Sequence, residues 1–401
     1  VDFVKALSKR QRHLLDEALD LLPAKLAEDE ATIGVEFPYV TEADGSWRTM
    51  PASVSAGYSG KAWSHGNWFC GFWVGLLLAA YLRSGDARFL SWARKRMQLV
   101  APRAEDPNTH DIGFIFYSSA LPAHHITGEA IFADMALRAA NRLRARLVTT
   151  RKGAYVSSWG PLGDPRGRRS SAIDTMANLP LLFWAADQVG DGSFRLAGEA
   201  HARMTQDAFI RPDGSTYHAV EYDVVTGGRL RGYTFQGASD DSCWSRGQAW
   251  AIYGFAATAR ATGEHEYLAL AERLARCYLD RLGETPVPYW DFDDPAIPEA
   301  PRDSSAAAIV ASGLLDIAAL HPDLQAAEHW SRCALAMLES LCEDYLARES
   351  GHRGLLKHGC YSKPHDDGVD SAVLFGEYYF VEALCSILLP GRLRLVPARL
   401  S

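Results

Sequence analysis

No apolar run in this chain is long enough to cross a bilayer. Phe69 to Ala80 is the longest candidate, and it falls well short of the roughly 18 residues a spanning helix needs. Long basic runs are missing too, and the formal charge is −8, which argues against nucleic acid as a partner. The opening segment, Val1 to Glu28, sets Lys5, Lys9, Arg10 and Arg12 among Leu14, Leu15, Leu19, Leu21 and Leu22. It reads as an amphipathic helix and lacks the compact apolar stretch of a signal peptide, although a sequence opening on Val leaves a removed leader open. Cysteines number seven, an odd count, and none stands in CxxC or zinc-ligand spacing; free thiols in a reducing, cytoplasmic setting are expected. There is no Gly-rich phosphate loop, no GxSxG elbow and no zinc helix motif. Asp291, Asp293 and Asp294 have ligand-like spacing, but lack the Gly turn and closing Glu of an EF-hand loop. No metal and no cofactor is therefore expected. Nor does a Pro/Gly/Ser tract divide the 401 residues, so one domain over 1–401 is expected.

What the chain does have is helical periodicity. Phe69, Phe72, Trp73, Leu76, Leu77 and Ala80 follow i, i+3, i+4 spacing and stop at Ser84-Gly85-Asp86. Thr127-Gly128-Glu129, Gly190-Asp191-Gly192 and Thr262-Gly263-Glu264 repeat that stop, and Leu320-His321-Pro322-Asp323 does so with Pro. Glycine supplies a positive-φ C-cap, and the acid suits the next helix N-terminus. Helical hairpins at such intervals must stack on neighbours to bury their faces. About twelve helices of chain close most economically into an α/α toroid; bundles and solenoids stay open on physics alone. The segment Glu284 to Arg302 reads as a long loop, with Asp303 or Ser304 capping the helix that follows. Short strands are expected within Gly153–Ser158 and Leu230–Gln236.

The chemistry gathers in Ser239-Asp240-Asp241-Ser242-Cys243-Trp244-Ser245-Arg246-Gly247-Gln248-Ala249-Trp250. If Trp244 opens a helix, Arg246 and Trp250 share a face. Indoles stack on the C–H faces of sugars, and a guanidinium pairs with a carboxylate, so an anionic sugar ring is a suitable ligand. An Arg–Trp contact that only fastens a core helix explains the spacing equally well. Asp240 and Asp241 read as caps for that helix. Two acids stand out by context: Asp111, after His110 in a loop, and Asp174, shortly before Asn178-Leu179-Pro180. Pro180 suits a first helical turn, which puts Asp174 at a loop-to-helix junction on the rim or mouth of a toroid. A lone Asp in such a place is more often a cap than a catalyst.

Several segments, in order along the chain, resemble the unsaturated glucuronyl hydrolases of glycoside hydrolase family 88. They include Asn67-Trp68-Phe69-Cys70-Gly71-Phe72-Trp73, Thr109-His110-Asp111-Ile112-Gly113-Phe114, Ile173-Asp174-Thr175-Met176-Ala177-Asn178-Leu179 and the Trp244–Trp250 run. Tyr289-Trp290-Asp291-Phe292-Asp293, Pro301-Arg302-Asp303-Ser304-Ser305-Ala306-Ala307-Ala308 and Leu374 to Leu384 complete the set. The resemblance implies an all-α (α/α)6 barrel with short strands in its rim loops. It implies Asp174 as catalytic acid/base and Asp111 as its assisting carboxylate. Trp68, His110, Trp159, His218, Gln236, Trp244, Arg246 and Trp250 are the implied substrate-binding residues. Ser362, in Gly359-Cys360-Tyr361-Ser362-Lys363, is expected on a rim that meets the leaving sugar. The implied activity is release of a Δ4,5-unsaturated uronic acid from the non-reducing end of lyase-generated oligosaccharides. The route is acid/base hydration of the C4=C5 vinyl ether.

Three rivals remain at this level. Unsaturated rhamnogalacturonyl hydrolases share the barrel and both acids; the Trp244–Trp250 run with His218 and Gln236 favours the glucuronyl group. An inverting glycosidase would use Asp111 and Asp174 across a saturated sugar, about 6.5–9.5 Å apart. A non-catalytic sugar-binding toroid would bind without turnover. The sequence leaves open the aglycone, its linkage and sulfation, and a monomer or homodimer.

Overall fold

A computed structural model describes residues 7–55, 57–59, 62–64 and 66–393. Burial sorts its long helices into two sets. One set is covered nearly all round: Cys70–Ser84, Ile112–Ser118 continued by Ala120–Thr127, Pro180–Val189, Ser245–Thr262, Ser304–Leu320 and Leu374–Leu388. In Ser304–Leu320 only the last two residues escape burial, and a helix apolar on every face belongs inside other helices. The second set is amphipathic: Lys9–Glu30, Ala87–Val100, Ala130–Ala145, Gly192–Phe209, His265–Arg281 and Leu324–Ser340. These turn one stripe inward and a charged face to solvent.

Each inner helix packs on the next, and Leu374–Leu388 returns to Cys70–Ser84, so the ring closes. The outer helices back the inner ones, with Lys9–Glu30 sealing the joint against Cys70–Ser84 and Leu374–Leu388. The result is an (α/α)6 barrel whose apolar core runs from Leu15 to Leu393 without a break. The first six residues of the expected N-terminal helix, Lys5 among them, lie outside the described residues.

Chain direction decides where a site can form. Five of the six inner helices lead to an outer helix through a short turn, as the repeated stops predicted; among the described residues no helix follows the sixth, Leu374–Leu388. At Ser84-Gly85-Asp86, Gly85 adopts φ 72° with its N–H on the Tyr81 carbonyl, and Asp86 caps the next helix. Gly128, Gly190 and Gly263 repeat the turn. Glu129 and Glu264 make no capping hydrogen bond, so only Asp86, Asp191 and Asp323 are true side-chain caps among the five acids. The outer-to-inner connections are the long ones, and they carry all the strands of the described residues. Examples are the Phe37–Thr41/Trp47–Met50 hairpin, the three-stranded sheet of Ser170–Ala172, Ala219–Tyr222 and Arg229–Tyr233, and the Gly359–Ser362/Asp367–Ser371 hairpin. Strand Ala154–Val156 falls in the first segment expected to hold one, and Arg229–Tyr233 overlaps the second, starting one residue before Leu230. All the loops therefore cover one end of the ring, above the N-termini of six parallel inner helices. Those termini present unpaired N–H groups and a partial positive charge, which favours anions there.

Adjacent inner helices cross closely at Gly71, where an added Cβ would lie 2.1 Å from the Ile115 carbonyl oxygen and 2.6 Å from its Cα. Backbone cannot yield as a side chain can. Gly71→Ala is therefore expected to cost about 1–3 kcal/mol through overpacking. Thermal unfolding reads this directly, and an unchanged Tm would mean the crossing is slack.

Candidate active site

The loop-covered end holds a cavity of about 530 Å³. Its described lining includes Asp174, Asp111, His110, Trp68, Trp159, Gln236 and Ser362, seven of the eleven residues singled out from sequence. Tyr39, Ser170, Tyr233, Phe235, Tyr361, His365 and Asp367 complete it. Aromatic rings thus face a pair of carboxylates, a composition suited to a sugar that carries C–H faces and hydroxyls.

Asp174 sits where Pro180 predicted, at the junction between the Ser170–Ala172 strand and the turn Thr175–Asn178 that leads into Pro180–Val189. Its carboxyl caps nothing: Oδ1 is enclosed and has no hydrogen-bond partner. Burial, then the charge of Asp111, raises its pKa to about 7, against a smaller opposing pull from Arg246. At neutral pH this group is therefore present in both protonation states.

Asp111 precedes the helix Ile112–Ser118 and is almost wholly buried. It accepts from Thr109 Oγ1 at 2.8 Å, and His110 Nε2 stands 3.1 Å from its other oxygen. His110 also meets Trp159 edge-on, with ring centroids 5.9 Å apart. The adjacent acids are thus differently dressed, one met at both oxygens and one with an oxygen left unpaired, and such a contrast separates acid from base roles.

The Trp244–Trp250 run lies differently from its expected place. Trp244 is the N-cap of Ser245–Thr262, and the Arg246 side chain is 1% exposed. Its guanidinium binds Asp303 at 2.9 Å and donates to the carbonyls of Cys360 and Tyr361. Its carboxylate partner is thus internal, and Arg246 ties the Tyr361–Ser362 loop to the barrel. Trp250 packs into the core against Phe114, Phe375 and Tyr379 at 4.9, 6.0 and 5.2 Å, off the cavity wall. Trp244 is also off the wall, with the Arg246 guanidinium 4.4 Å from its ring centroid and the His218 ring at 4.3 Å. Trp250 meets the neighbouring inner helices before it can meet the mouth, whereas Arg246 is taken up by Asp303 and the Tyr361–Ser362 loop.

His218 is buried, with Nδ1 2.9 Å from Thr234 Oγ1 and Nε2 without a partner. Burial, then the charge of Arg246, holds its pKa well below the usual value, so it is neutral. Phe235, packed 4.1 Å from that imidazole, takes the wall position. Gln236 donates to the Tyr361 carbonyl at 3.2 Å, and Ser362 pairs with His365 at 2.7 Å.

Asp240 and Asp241 do not cap the helix. Asp240 accepts from Thr234 N–H, and the helix start is met instead by the Trp290 carbonyl, which takes Ser245 N–H. Asp291, Asp293 and Asp294 fasten the long loop: Asp291 takes Ala238 N–H and Ser242 Oγ, Asp293 takes Cys243 N–H, and Asp294 takes the Trp290 indole. Asp303 does cap its helix, through Ser305 N–H. Tyr39 and Asp367, bonded to each other, escaped the sequence reading because they lie more than 300 residues apart and neither stands in a recognisable motif. Tyr361 was within reach, since it adjoins Ser362.

No family model matches the chain. It is similar to an unsaturated glucuronyl hydrolase of Bacillus sp. (strain GL1), 37% identical over 323 residues that span 79% of this chain and 85% of that protein. It is also 33% identical to an unsaturated chondroitin disaccharide hydrolase of Streptococcus agalactiae serotype III (strain NEM316), over 92% of this chain and 90% of the other. Among solved structures, the crystal structure of the unsaturated glucuronyl hydrolase of Bacillus sp. GL1, described as responsible for the degradation of glycosaminoglycan, superposes with a TM-score of 0.84. The identity there is 32%, covering 96% of this chain and all of that one.

Proposed function

This chain belongs to the unsaturated glucuronyl hydrolase family, and from that membership and its cavity we propose that it releases a Δ4,5-unsaturated uronic acid from the non-reducing end of lyase-generated oligosaccharides. The substrate class takes its support from relatives named for glucuronyl and chondroitin disaccharide hydrolysis. Seven free cysteines fit a reducing, cytoplasmic setting.

In this reading Asp174, protonated, gives its proton to C4 of the enol ether. Positive charge develops at C5 and the ring oxygen, and the ionised Asp111 stabilises it. Water then adds at C5 and surrenders a proton to the Asp174 carboxylate, which closes the proton balance. The hemiketal opens, and the glycosidic bond at C1 is lost with it. Trp68, Trp159 and the other wall aromatics hold the ring by its faces. Arg246, already paired, acts by bracing the Tyr361–Ser362 loop. The positive ends of the inner helices favour the uronate carboxylate without a dedicated cation.

The observation that carries this reading is the bare, enclosed Asp174 oxygen with a pKa of about 7 beside a second carboxylate. It fixes a pH dependence. The acid form is required, so kcat/KM should hold below pH 7 and fall tenfold per unit well above it. Loss of the enol-ether ultraviolet absorbance measures the rate on unsaturated chondroitin, hyaluronan, heparin and gellan fragments. A profile that rises through pH 8 would remove Asp174 as the acid.

A further inference from the structure

Behind the two carboxylates lies a hydrogen-bonded chain that the reaction as written leaves unused. Ala172 N–H donates to Ser158 Oγ at 2.7 Å. Ser158 Oγ stands 3.1 Å from Thr175 Oγ1, and Thr175 Oγ1 stands 2.5 Å from His110 Nδ1. His110 Nε2 ends the chain on Asp111 Oδ1. Ser158, Thr175 and His110 are all fully or almost fully buried. Its middle member, Thr175, is covalently next to Asp174, so the chain joins the surroundings of one acid to the backbone of the other.

The hydrogens in such a chain can be placed by counting donors and acceptors. Ser158 Oγ already accepts from Ala172, so its own hydrogen goes to Thr175. Thr175 then gives its hydrogen to Nδ1, which must be a lone pair. His110 accordingly carries its proton on Nε2 and donates it to Asp111. With the reverse direction, the Ser158 hydrogen would have no acceptor in a buried site, and a neutral His110 would turn a lone pair toward a carboxylate. Both cost free energy. At Asp111 the sense is the same: Thr109 Oγ1 accepts Asp111 N–H at 3.1 Å, so its hydroxyl donates to Oδ2. Each Asp111 oxygen thus receives a donor, the arrangement a carboxylate prefers to a carboxylic acid.

We propose that Ser158 and Thr175 are positioning residues that lock His110 as the Nε2–H tautomer, and thereby keep Asp111 ionised beside Asp174. The inference rests on the reading of Asp174 as the acid, and it says what sustains the charge of Asp111 that adds to burial in keeping that acid protonated. Other charged and titratable groups among the described residues also face the pair. Arg146 and Tyr361 feel Asp111, Arg246 faces Asp174, and His110 in turn faces His201 and His218. Burial holds both of those imidazoles neutral. Arg146 donates to the Ser157 and Gly160 carbonyls. Tyr361 is pushed up to about 12 by burial, so it does not titrate in the working range. The threonine hydroxyl is therefore the group whose removal changes the tautomer while leaving these charges in place.

Thr175→Val keeps the volume and removes the donor. His110 then loses its preference for Nε2–H, Asp111 loses a donor, and its proton affinity rises. A less charged Asp111 raises Asp174 less, so the alkaline limb of kcat/KM moves to lower pH. The expected displacement is about half to one unit, or about three- to tenfold less activity at pH 7.5 with KM little altered. Thr175→Ser should restore the limb, and Ser158→Ala, a milder change, should move it in the same direction as Thr175→Val. In 15N-labelled protein, two-bond proton–nitrogen correlations report the tautomer without turnover, with the His110 signals identified by their loss in His110→Gln. Nε2–H in the parent and a gain of Nδ1–H in Thr175→Val are expected. A His110 already carrying Nδ1–H in the parent overturns the proposal, as does a limb unmoved in both Thr175→Val and Ser158→Ala. If the limb stays put while Asp174→Asn still abolishes turnover, only the positioning role fails. If Asp174→Asn turns over normally, the reading of the acid itself has failed.

Discussion

Asp174→Asn is expected to lower kcat by about 10²–10⁴-fold, the usual worth of a positioned general acid, while substrate affinity changes little. The same substitution should raise thermal stability at pH 8. The ordinary carboxyl of an unfolded chain is ionised from about pH 4 upward. In the folded protein, burial and Asp111 keep Asp174 protonated until about pH 7. A group with a raised folded pKa favours folding at low pH and opposes it progressively as pH rises through the folded value. Above pH 7 the native protein holds an enclosed carboxylate beside another one, and an uncharged amide relieves that. A variant that is inactive yet more stable at pH 8, and level with the parent at pH 4, is the signature. Equal stability at both pH values would show that Asp174 is an ordinary, solvated carboxylate.

Arg246→Ala should be strongly destabilising. The pair with Asp303 is closed to solvent, so removing the cation leaves a buried carboxylate that retains only Ser305 and Cys360 as donors. Breaking such a pair typically costs about 3–5 kcal/mol. The Tyr361–Ser362 loop loses its anchor at the same time, so the cavity wall loosens and KM rises. Combining Arg246→Met with Asp303→Asn removes both charges and should recover part of the stability. Denaturation and kinetics together separate the alternatives. A rise in KM with an unchanged Tm would mean that Arg246 contacts the uronate directly, as its place in the sequence first suggested.

That contrast shows where sequence reading succeeds. The ring of helices was legible because the turns carry their own local signal: in four of them a glycine that can adopt positive φ, then an acid, and in the fifth a proline before the acid. Asp174 was legible because Pro180 marks a helix start a few residues later. The inner and outer sorting came from burial in the structure, where apolar cover is nearly complete on one set of helices and confined to one stripe on the other. What local pattern could not give is direction inside a ring. Arg246 and Trp250 share a helix face, but whether that face meets the cavity or a neighbouring helix depends on the closure of six hairpins. Arg246 found Asp303, which comes from the next inner helix, and the cavity wall was completed by Tyr39 and Asp367 from opposite ends of the chain. Thr175 and Ser158 are small residues in unremarkable positions, and only the hydrogen-bond count gives them a role.

Turnover of an unsaturated disaccharide in D2O, followed by NMR of the first product formed, tests the account most directly. Proton delivery from Asp174 to C4 predicts one deuterium at C4 of the released uronic acid, the loss of its double bond, and no such product from Asp174→Asn. Release of a sugar whose C4=C5 bond is intact would contradict it, because the bond would then have been broken at the anomeric carbon by a saturated-sugar mechanism.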